Sequence, residues 1–338
     1  MASSKRHALS MTAIAVMSIL LAACNSSAGP VLTLYNGQHT ELTAALADRF
    51  TAESHIAVAI RSNDGVVLAD QLLSEGSHSP ADVYFTENSP ELMNLEDHHL
   101  LAKLPARLLS SVPSADVSPG GEWIGVALRI SCMVYNPSLV TSHNLPHSLL
   151  DLAESKWDGK IAIAPTDSDF VPLVGAMLHA DGPAATRSWL AAMKSHAHLY
   201  QNDESVTNAV NDGEAAIGII NQYYWYRLRL EVGTQGMHSS LAYFPNHDVG
   251  SVINISGIAL LAHAPHPGAG LAFIRFVVSS EGQKMLASGD DFEYPVLPGV
   301  APNAALPPLS TLPTDRIPVT ELGNDEAAAT LLQTSGLS

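Results

Sequence analysis

The sequence predicts an α/β protein of two lobes, joined by two long crossover strands and separated by a cleft. Short apolar runs alternate with helical patterns along most of the chain, which indicates βαβ units and a mainly parallel sheet. Two long β-type runs, near 125–135 and 251–262, divide the chain. The block of about 120 residues between them is large enough for a core of its own. The shorter parts on either side are therefore joined into one lobe, with the two long runs as crossovers.

The composition excludes several classes of protein. The chain has 338 residues, about two domains' worth, of which 46% are apolar and 14% charged, whereas a disordered chain would be apolar-poor and charge-rich. Its net charge is −17, and a face for nucleic acid would need clustered positive charge. Two cysteines, Cys24 and Cys132, are too few for a disulfide framework or a cysteine-based zinc site. The sequence thus predicts a globular protein without a nucleic-acid partner.

The first 24 residues have the pattern of an export signal. Lys5 and Arg6 precede an apolar run over 8–23, which is too short for a comfortable transmembrane span. The run ends in Leu-Ala-Ala before Cys24, which resembles the bacterial lipobox. The resemblance implies that 1–23 is a lipoprotein signal peptide and that Cys24 carries the lipid anchor, with 24–30 as a tether. The alternative is an ordinary signal peptide with an incidental cysteine, and in both cases the mature chain works outside the cytoplasm.

The first lobe is expected to span 31–128 and 255–300. Thr40 can cap a helix whose apolar residues Leu42, Leu46 and Phe50 recur at four-residue intervals. Strands are predicted at 31–35, 56–60 and 83–85, and helices at 40–50, 66–73, 269–278 and 281–286.

The second lobe is expected to span 129–254, with the crossover strands at 125–135 and 252–262. Residues 301–318 contain five prolines and are expected to run over the surface, and the whole segment 301–338 to pack on the second lobe. Strands are predicted at 160–164, 215–220 and 240–244, and helices at 146–153, 171–180, 184–195, 204–212, 222–232 and 326–333.

Polar residues that could bind a ligand follow several predicted strands. Ligands of open α/β sheets bind beyond the carboxyl ends of the strands, where His39, Glu87, Tyr223 and Tyr224 are expected. Two adjacent phenols can converge on one point only where a helix is just beginning, as the pattern predicts here. The histidine and glutamate could instead be loop or cap residues, and the tyrosines could be part of the core.

Five motifs resemble those of the bacterial periplasmic ferric-ion-binding proteins, the bacterial transferrins of iron ABC importers, over roughly 31–336. The resemblance implies a monomeric, extracytoplasmic substrate-binding protein that is not an enzyme and that delivers Fe(III) to the permease of an ABC importer. It also implies that His39, Glu87, Tyr223 and Tyr224 hold the metal. The motifs are Leu34-Tyr35-Asn36-Gly37-Gln38-His39, Ser79-Pro80-Ala81-Asp82-Val83 through Glu87, Asn221-Gln222-Tyr223-Tyr224-Trp225, Ser280-Glu281-Gly282-Gln283 and Glu293-Tyr294-Pro295.

The chemistry of these residue types suits a ferric ion. Fe(III) is a hard cation that prefers anionic oxygen, and a trivalent ion displaces the protons of phenols. Two phenolates and one carboxylate balance three positive charges, while a neutral histidine adds a fourth ligand. Two of six octahedral positions then remain for an anion or water, and ligands from both lobes would close the hinge.

The sequence departs from the family where the best-known branch binds a synergistic phosphate. An Asp-Ser-Asp turn replaces the family's Ser-Gly-Ala turn, and Glu204 aligns near a family asparagine. Carboxylates in a phosphate cradle repel phosphate, so ferric binding without phosphate is predicted. Carbonate, water or a carboxylate of the turn could take the open positions, and the arginine on the first crossover strand could pair with an anion or with these acids. The candidate anion-binding or supporting residues are Asn88, Arg129, Asp167, Ser168, Asp169 and Asn221.

Two other functions compete with ferric binding. One is a solute receptor for another metal or a small organic anion, which the altered anion cradle permits. The other is a metal-dependent hydrolase on the same scaffold. The sequence has no Gly-Xaa-Ser-Xaa-Gly elbow, P-loop or Cys-Xaa-Xaa-Cys motif, so it offers no catalytic constellation.

The predicted anchor can be tested by Cys24→Ser. The substitution removes the thiol that the lipobox positions for acylation, so the variant should lose acyl labelling and move to the soluble fraction after cell lysis. Cys132→Ser is the matched control and should remain in the membrane fraction. Membrane retention of Cys24→Ser at the wild-type level would contradict the lipoprotein assignment.

Overall fold

The computed structural model describes residues 31–314 and 317–338. The predicted signal peptide, the lipidation site at Cys24 and the tether 24–30 lie outside the described residues. No helix within the described part of the chain has the length and apolar character needed to cross a membrane.

The described chain alternates strands and helices for most of its length. The strands are β1 (Val31–Gly37), β2 (Ala57–Ser62), β3 (Val83–Thr86), β4 (Trp123–Tyr135), β5 (Ile161–Ile163), β6 (Ala197–Leu199), β7 (Ile217–Asn221), β8 (Ser240–Ala242), β9 (Ile253–Leu260) and β10 (Tyr294–Pro295). The helices are α1 (Thr40–Ser54), α2 (Gly65–Glu75), α3 (Ser89–Asp97), α4 (Ala106–Leu109), α5 (Phe170–Ala180), α6 (Gly182–His196), α7 (Asp203–Asp212), α8 (Gln222–Gly236), α9 (Pro267–Val277), α10 (Ser280–Ser288), α11 (Val319–Leu322) and α12 (Glu326–Ser335).

The strands form one continuous sheet in the order β2-β1-β3-β9-β4-β7-β5-β6. The β1, β2 and β3 strands are parallel, as are β5, β6 and β7, and the antiparallel strands β9 and β4 lie between the two groups. The first part of β4 pairs with β9, where Arg129 lies opposite Asn254. Its last part pairs with β7, where Ser131 lies opposite Asn221. The long strand β4 is therefore shared by the two halves of the sheet.

Separate hydrophobic cores lie on the two halves of the sheet, so the predicted two-lobe α/β fold is confirmed. The first core includes Leu34, Phe85, Trp123, Ile258 and Phe273. The second core includes Leu149, Trp157, Leu173, Trp189 and Leu331. A third, smaller cluster contains the buried free thiol of Cys132.

The C-terminal helices α11 and α12 pack on α5, and α12 also contacts α6. Leu322 joins the second core, whereas Val319, three residues earlier, joins the first core. The approach of α11 to α5 is close at Gly175, where a β-carbon would stand 2.8 Å from the carbonyl oxygen of Leu322.

Some predicted elements differ from the structure. The helix predicted at 146–153 is wrong, because the segment forms only a short 3₁₀-helix over Leu149–Ala153, begun by a capping box at Ser148. Helix α3 was not predicted, although Pro90 in its first turn is a helix-start signal. The strands β6 and β10 have three and two residues, which is too short for a detectable alternation of apolar residues.

The contact between α5 and α11 can be tested by Gly175→Ala. Overpacking costs about 1–3 kcal/mol, while alanine regains at most about 1 kcal/mol of helix propensity, so the melting temperature should fall. Gly268→Ala is the matched control, because its β-carbon would meet nothing within 4 Å. Equal melting temperatures for the two variants, measured by circular dichroism, would contradict the close packing.

Candidate metal centre

The candidate site begins where β1 and β3 end. These strands run parallel, with Gly37 opposite Thr86, so the residues that follow them leave the same edge of the sheet. His39 is the N-cap residue of α1, and Glu87 follows β3 directly. Nε2 of His39 lies 3.4 Å from Oε1 of Glu87. The first lobe thus places an imidazole and a carboxylate together.

Tyr223 brings the second lobe to these groups. It lies in the first turn of α8, directly after β7, and is 1% exposed. Its hydroxyl, which has one proton to donate, lies 3.1 Å from Oδ2 of Asp169 and 3.3 Å from Oε2 of Glu87. Its ring meets that of His39 edge to face, with centroids 4.9 Å apart. One phenol therefore lies between carboxylates that come from the two halves of the sheet.

Tyr224 lies beside Tyr223 at the start of the same helix. The two rings stack with centroids 4.1 Å apart and planes 29° from parallel. Tyr224 also lines a cavity of about 210 Å³ together with Glu204 and Arg227. A larger cavity, of about 600 Å³, lies by Trp157 and Lys160, at the opposite end of β5, and contains none of the predicted ligands.

Arg129 is the buried cation around which the acidic groups are arranged. Its side chain is completely buried. Nη2 donates to Oδ1 of Asp169 at 2.8 Å and to Oδ1 of Asn88 at 2.6 Å. Nη1 donates to the carbonyl oxygen of Glu87 and lies 3.8 Å from Oε1 of Glu293. The guanidinium thus contacts the polypeptide on both sides of the candidate site.

The three residues of the Asp-Ser-Asp turn make different contacts. Only Asp169 contacts both Arg129 and Tyr223. Asp167 holds the local backbone instead, since its carboxylate oxygens each accept at 3.0 Å from the amides of Asp169 and Asp203. The carbonyl oxygen of Ser168 accepts a hydrogen bond from the amide of Val171, in the first turn of α5. Among the described residues, the Ser168 side chain makes no hydrogen bond to the site.

The two predicted asparagines occupy supporting positions. Asn88 accepts from Arg129 and donates to Oε1 of Glu91 at 3.3 Å. Asn221 accepts from Nδ2 of Asn254 at 3.1 Å, and a hydrogen bond from its side chain helps to lower the pKa of Asp169. The two amides therefore lie on different halves of the sheet, Asn88 after β3 and Asn221 at the end of β7.

The structure adds residues that sequence reasoning missed. Glu204, which aligns near a family asparagine, is exposed, whereas the preceding Asp203 is buried and accepts from the amide of Asn221 at 3.1 Å. Asp291 lies 2.9 Å from Nδ1 of His39, and Glu293 is fully buried beside Arg129. Glu293 belongs to the Glu-Tyr-Pro motif that carries the family resemblance, but the motif alone assigned it no role in the site.

Burial and mutual repulsion shift the titration of these groups. Burial raises the pKa of Tyr223 well above its usual value, and the charge of Asp169 adds to the rise. Burial would also raise the pKa of Asp169, but the Arg129 charge holds it below the usual value. Burial raises the pKa of Glu293 to about 7. Burial lowers the pKa of His39, but Glu87, Asp291 and Glu293 together outweigh it and raise the pKa to about 9. The charge of Arg129 acts on Glu87, Asp169, Asp203 and Glu293, while Asp167 interacts with Asp169 and Asp291 faces His39.

The donor set fits a hard, highly charged cation. Nε2 of His39 is buried and has only the Glu87 carboxylate, 3.4 Å away, in front of it, so this nitrogen is available to a ligand. Among residues 31–314 and 317–338, no three histidine, cysteine, aspartate or glutamate side chains are grouped as a metal site. The candidate site instead combines such groups with two phenols, whose protons a cation can displace.

Comparisons with known proteins match this architecture. The family described as bacterial extracellular solute-binding protein matches residues 68–316. The chain is 36% identical over 331 residues to the Fe(3+)-binding periplasmic protein of Serratia marcescens, covering 97% of this chain and 98% of the relative. Iron-bound HitA from Pseudomonas aeruginosa shares 37% identity and a TM-score of 0.88, with 91% of this chain and 100% of that chain covered. The Trichodesmium protein IdiA (FutA), solved with iron and citrate ligands, shares 27% identity and a TM-score of 0.78, and the match covers 91% of this chain and 100% of that chain. These matches confirm the resemblance predicted from the sequence, and the chain belongs to the bacterial extracellular solute-binding proteins.

Proposed function

We propose that this protein binds Fe(III) outside the cytoplasm as the cargo of an ABC importer. His39, Glu87, Tyr223 and Tyr224 are the proposed ligands. The observation that carries the proposal is the Tyr223 hydroxyl, which lies within hydrogen-bond distance of both Glu87 and Asp169 while His39 lies against Glu87. The names and titles of the matched relatives, which include an Fe(3+)-binding periplasmic protein, support it.

The electrostatics favour ferric ion over an anionic solute. Asp169 and Glu87 already lie against Arg129, so a small organic anion would meet carboxylates at the buried cation that it would need. A trivalent cation instead stabilises the carboxylates and displaces the phenol protons that burial otherwise holds in place. Charge therefore disfavours the organic-anion alternative.

Asp169 is proposed to take the place that phosphate takes in the best-known branch of the family. Its Oδ2 is already 3.1 Å from the Tyr223 hydroxyl, and its other oxygen is held by Arg129. Two phenolates and Glu87 neutralise Fe(III), and the extra charge of Asp169 is neutralised by Arg129. Phosphate would add about −1.5 to −2 charges beside the buried Asp203 and Asp169.

Delivery to the importer is proposed to follow from closure and opening of the lobes. The ligands come from loops after β1 and β3 on one side and from α8 on the other. Tyr223 already lies 3.3 Å from Glu87 of the other lobe, so metal binding would hold these elements closed around the paired strands β4 and β9. The proposed protein is a monomer, anchored by lipid at Cys24, that presents the closed form to its permease.

The tyrosine ligands can be tested by Tyr223→Phe and Tyr224→Phe. Each removes an anionic donor, so ferric affinity should fall by more than about 100-fold and the tyrosinate-to-iron absorption band should weaken or disappear. Tyr226→Phe is the matched control, because it makes the same change on the same helix outside the site. His39→Ala should cost less, since water can replace a neutral ligand. Wild-type spectra and affinity in both site variants would refute the ligand assignment.

The role of Asp169 can be tested by titrating phosphate into anion-stripped protein while following the absorption band. The wild-type spectrum and ferric affinity should not respond to phosphate, because Asp169 occupies the position and repels the anion. Asp169→Ala should alter the band, whereas Asp70→Ala, which removes an exposed acid of α2, should leave it unchanged. A large, saturable gain of ferric affinity with phosphate in the wild type would overturn the assignment.

A further inference from the structure

A carboxylate from a distant part of the chain faces His39 on the side away from the candidate ligands. Nδ1 of His39 lies 2.9 Å from Oδ1 of Asp291, and the two side chains are only 8% and 12% exposed. The opposite nitrogen, Nε2, faces Glu87 at 3.4 Å. The imidazole therefore lies between a carboxylate of the proposed metal site and one outside it.

The backbone that carries Asp291 is held in an unusual conformation. Phe292 has a φ of 51°, in the left-handed region that bulky residues rarely adopt. Its carbonyl oxygen accepts from Nε2 of Gln222 at 2.9 Å, and its ring stacks on Tyr226 with centroids 5.5 Å apart. Residues held in sparsely populated regions persist where the surroundings fix them, and they cluster at functional sites.

The next residue fixes the other end of the same loop. Glu293 is fully buried, 3.3 Å from Nε2 of Gln38 and 3.8 Å from Nη1 of Arg129. Gln38 in turn accepts from the backbone amide of His39 through Oε1 at 2.7 Å. The loop thus contacts His39 through two routes, one at the imidazole and one at the backbone.

We infer that Asp291 is a positioning residue that keeps the His39 proton on Nδ1 and leaves Nε2 free to bind the metal. Metal-ligating histidines commonly donate their second N–H to a carboxylate, which fixes the ring orientation and the tautomer. Nδ1 of His39 lies 2.9 Å from Oδ1 of Asp291, which is the distance of such a contact. The inference rests on the proposed ferric function.

The test compares Asp291→Ala and Asp291→Asn with Asp290→Asn, which removes a charge from the exposed neighbouring residue. Ferric affinity is measured for each full mature chain, with the melting temperature of the metal-free protein. The ¹⁵N resonances of His39 are recorded with Ga(III), a diamagnetic trivalent probe. In the wild type, Nδ1 should carry the proton and Nε2 the metal. Asp291→Ala should lose about 10- to 100-fold in affinity and shift both nitrogen resonances.

The three variants separate positioning from structural support. Asp291→Asn keeps an oxygen acceptor and should retain more affinity than Asp291→Ala, while Asp290→Asn should match the wild type. If Asp291→Ala does not fold, a several-fold loss of ferric affinity in Asp291→Asn still supports the inference. A lower melting temperature with unchanged affinity and unchanged ¹⁵N resonances would overturn it. Absence of both Fe(III) and Ga(III) binding in the wild type would instead refute the proposed function.

Discussion

The structure of the site depends on the complete burial of one guanidinium, that of Arg129, at the join between the two halves of the sheet. An unpaired buried charge is strongly destabilising, so the chain must surround it with acceptors. It does so with Asp169 from one side and with Asn88 and the Glu87 carbonyl from the other. The same ion pairs that satisfy Arg129 therefore fix the positions of the carboxylates around the site.

This arrangement leaves an excess of acidic groups in a place with little water. Burial raises the pKa of Asp203 well above its usual value, and it raises the pKa of Asp167 to about 7. Burial likewise keeps both phenols protonated without a cation. A trivalent ion would relieve this repulsion by replacing several protons at once. The proposed preference for Fe(III) thus follows from the same burial that makes the metal-free site unfavourable.

The sequence predicted the parts of this site that lie at strand ends. His39 and Glu87 were accessible to that reasoning because the parallel strands β1 and β3 deliver their next residues to one edge, and Tyr223 because it lies just after β7 of the other half of the sheet. Asp291 was not, because it reaches His39 from a loop near the other end of the chain, with a backbone conformation that no local pattern indicates. The difference between Asp203 and Glu204 depends on the phase of α7, where one residue turns inward and the next outward. Likewise, Asp167 and Asp169 are equivalent in sequence and differ only in what they contact.

The central claim is most directly tested by metal analysis of protein purified without chelators, combined with its visible spectrum. The account predicts one ferric ion per chain and a coloured protein, with an absorption band from tyrosinate-to-iron charge transfer. A colourless protein that takes up no Fe(III), or bound iron without that band, would contradict it.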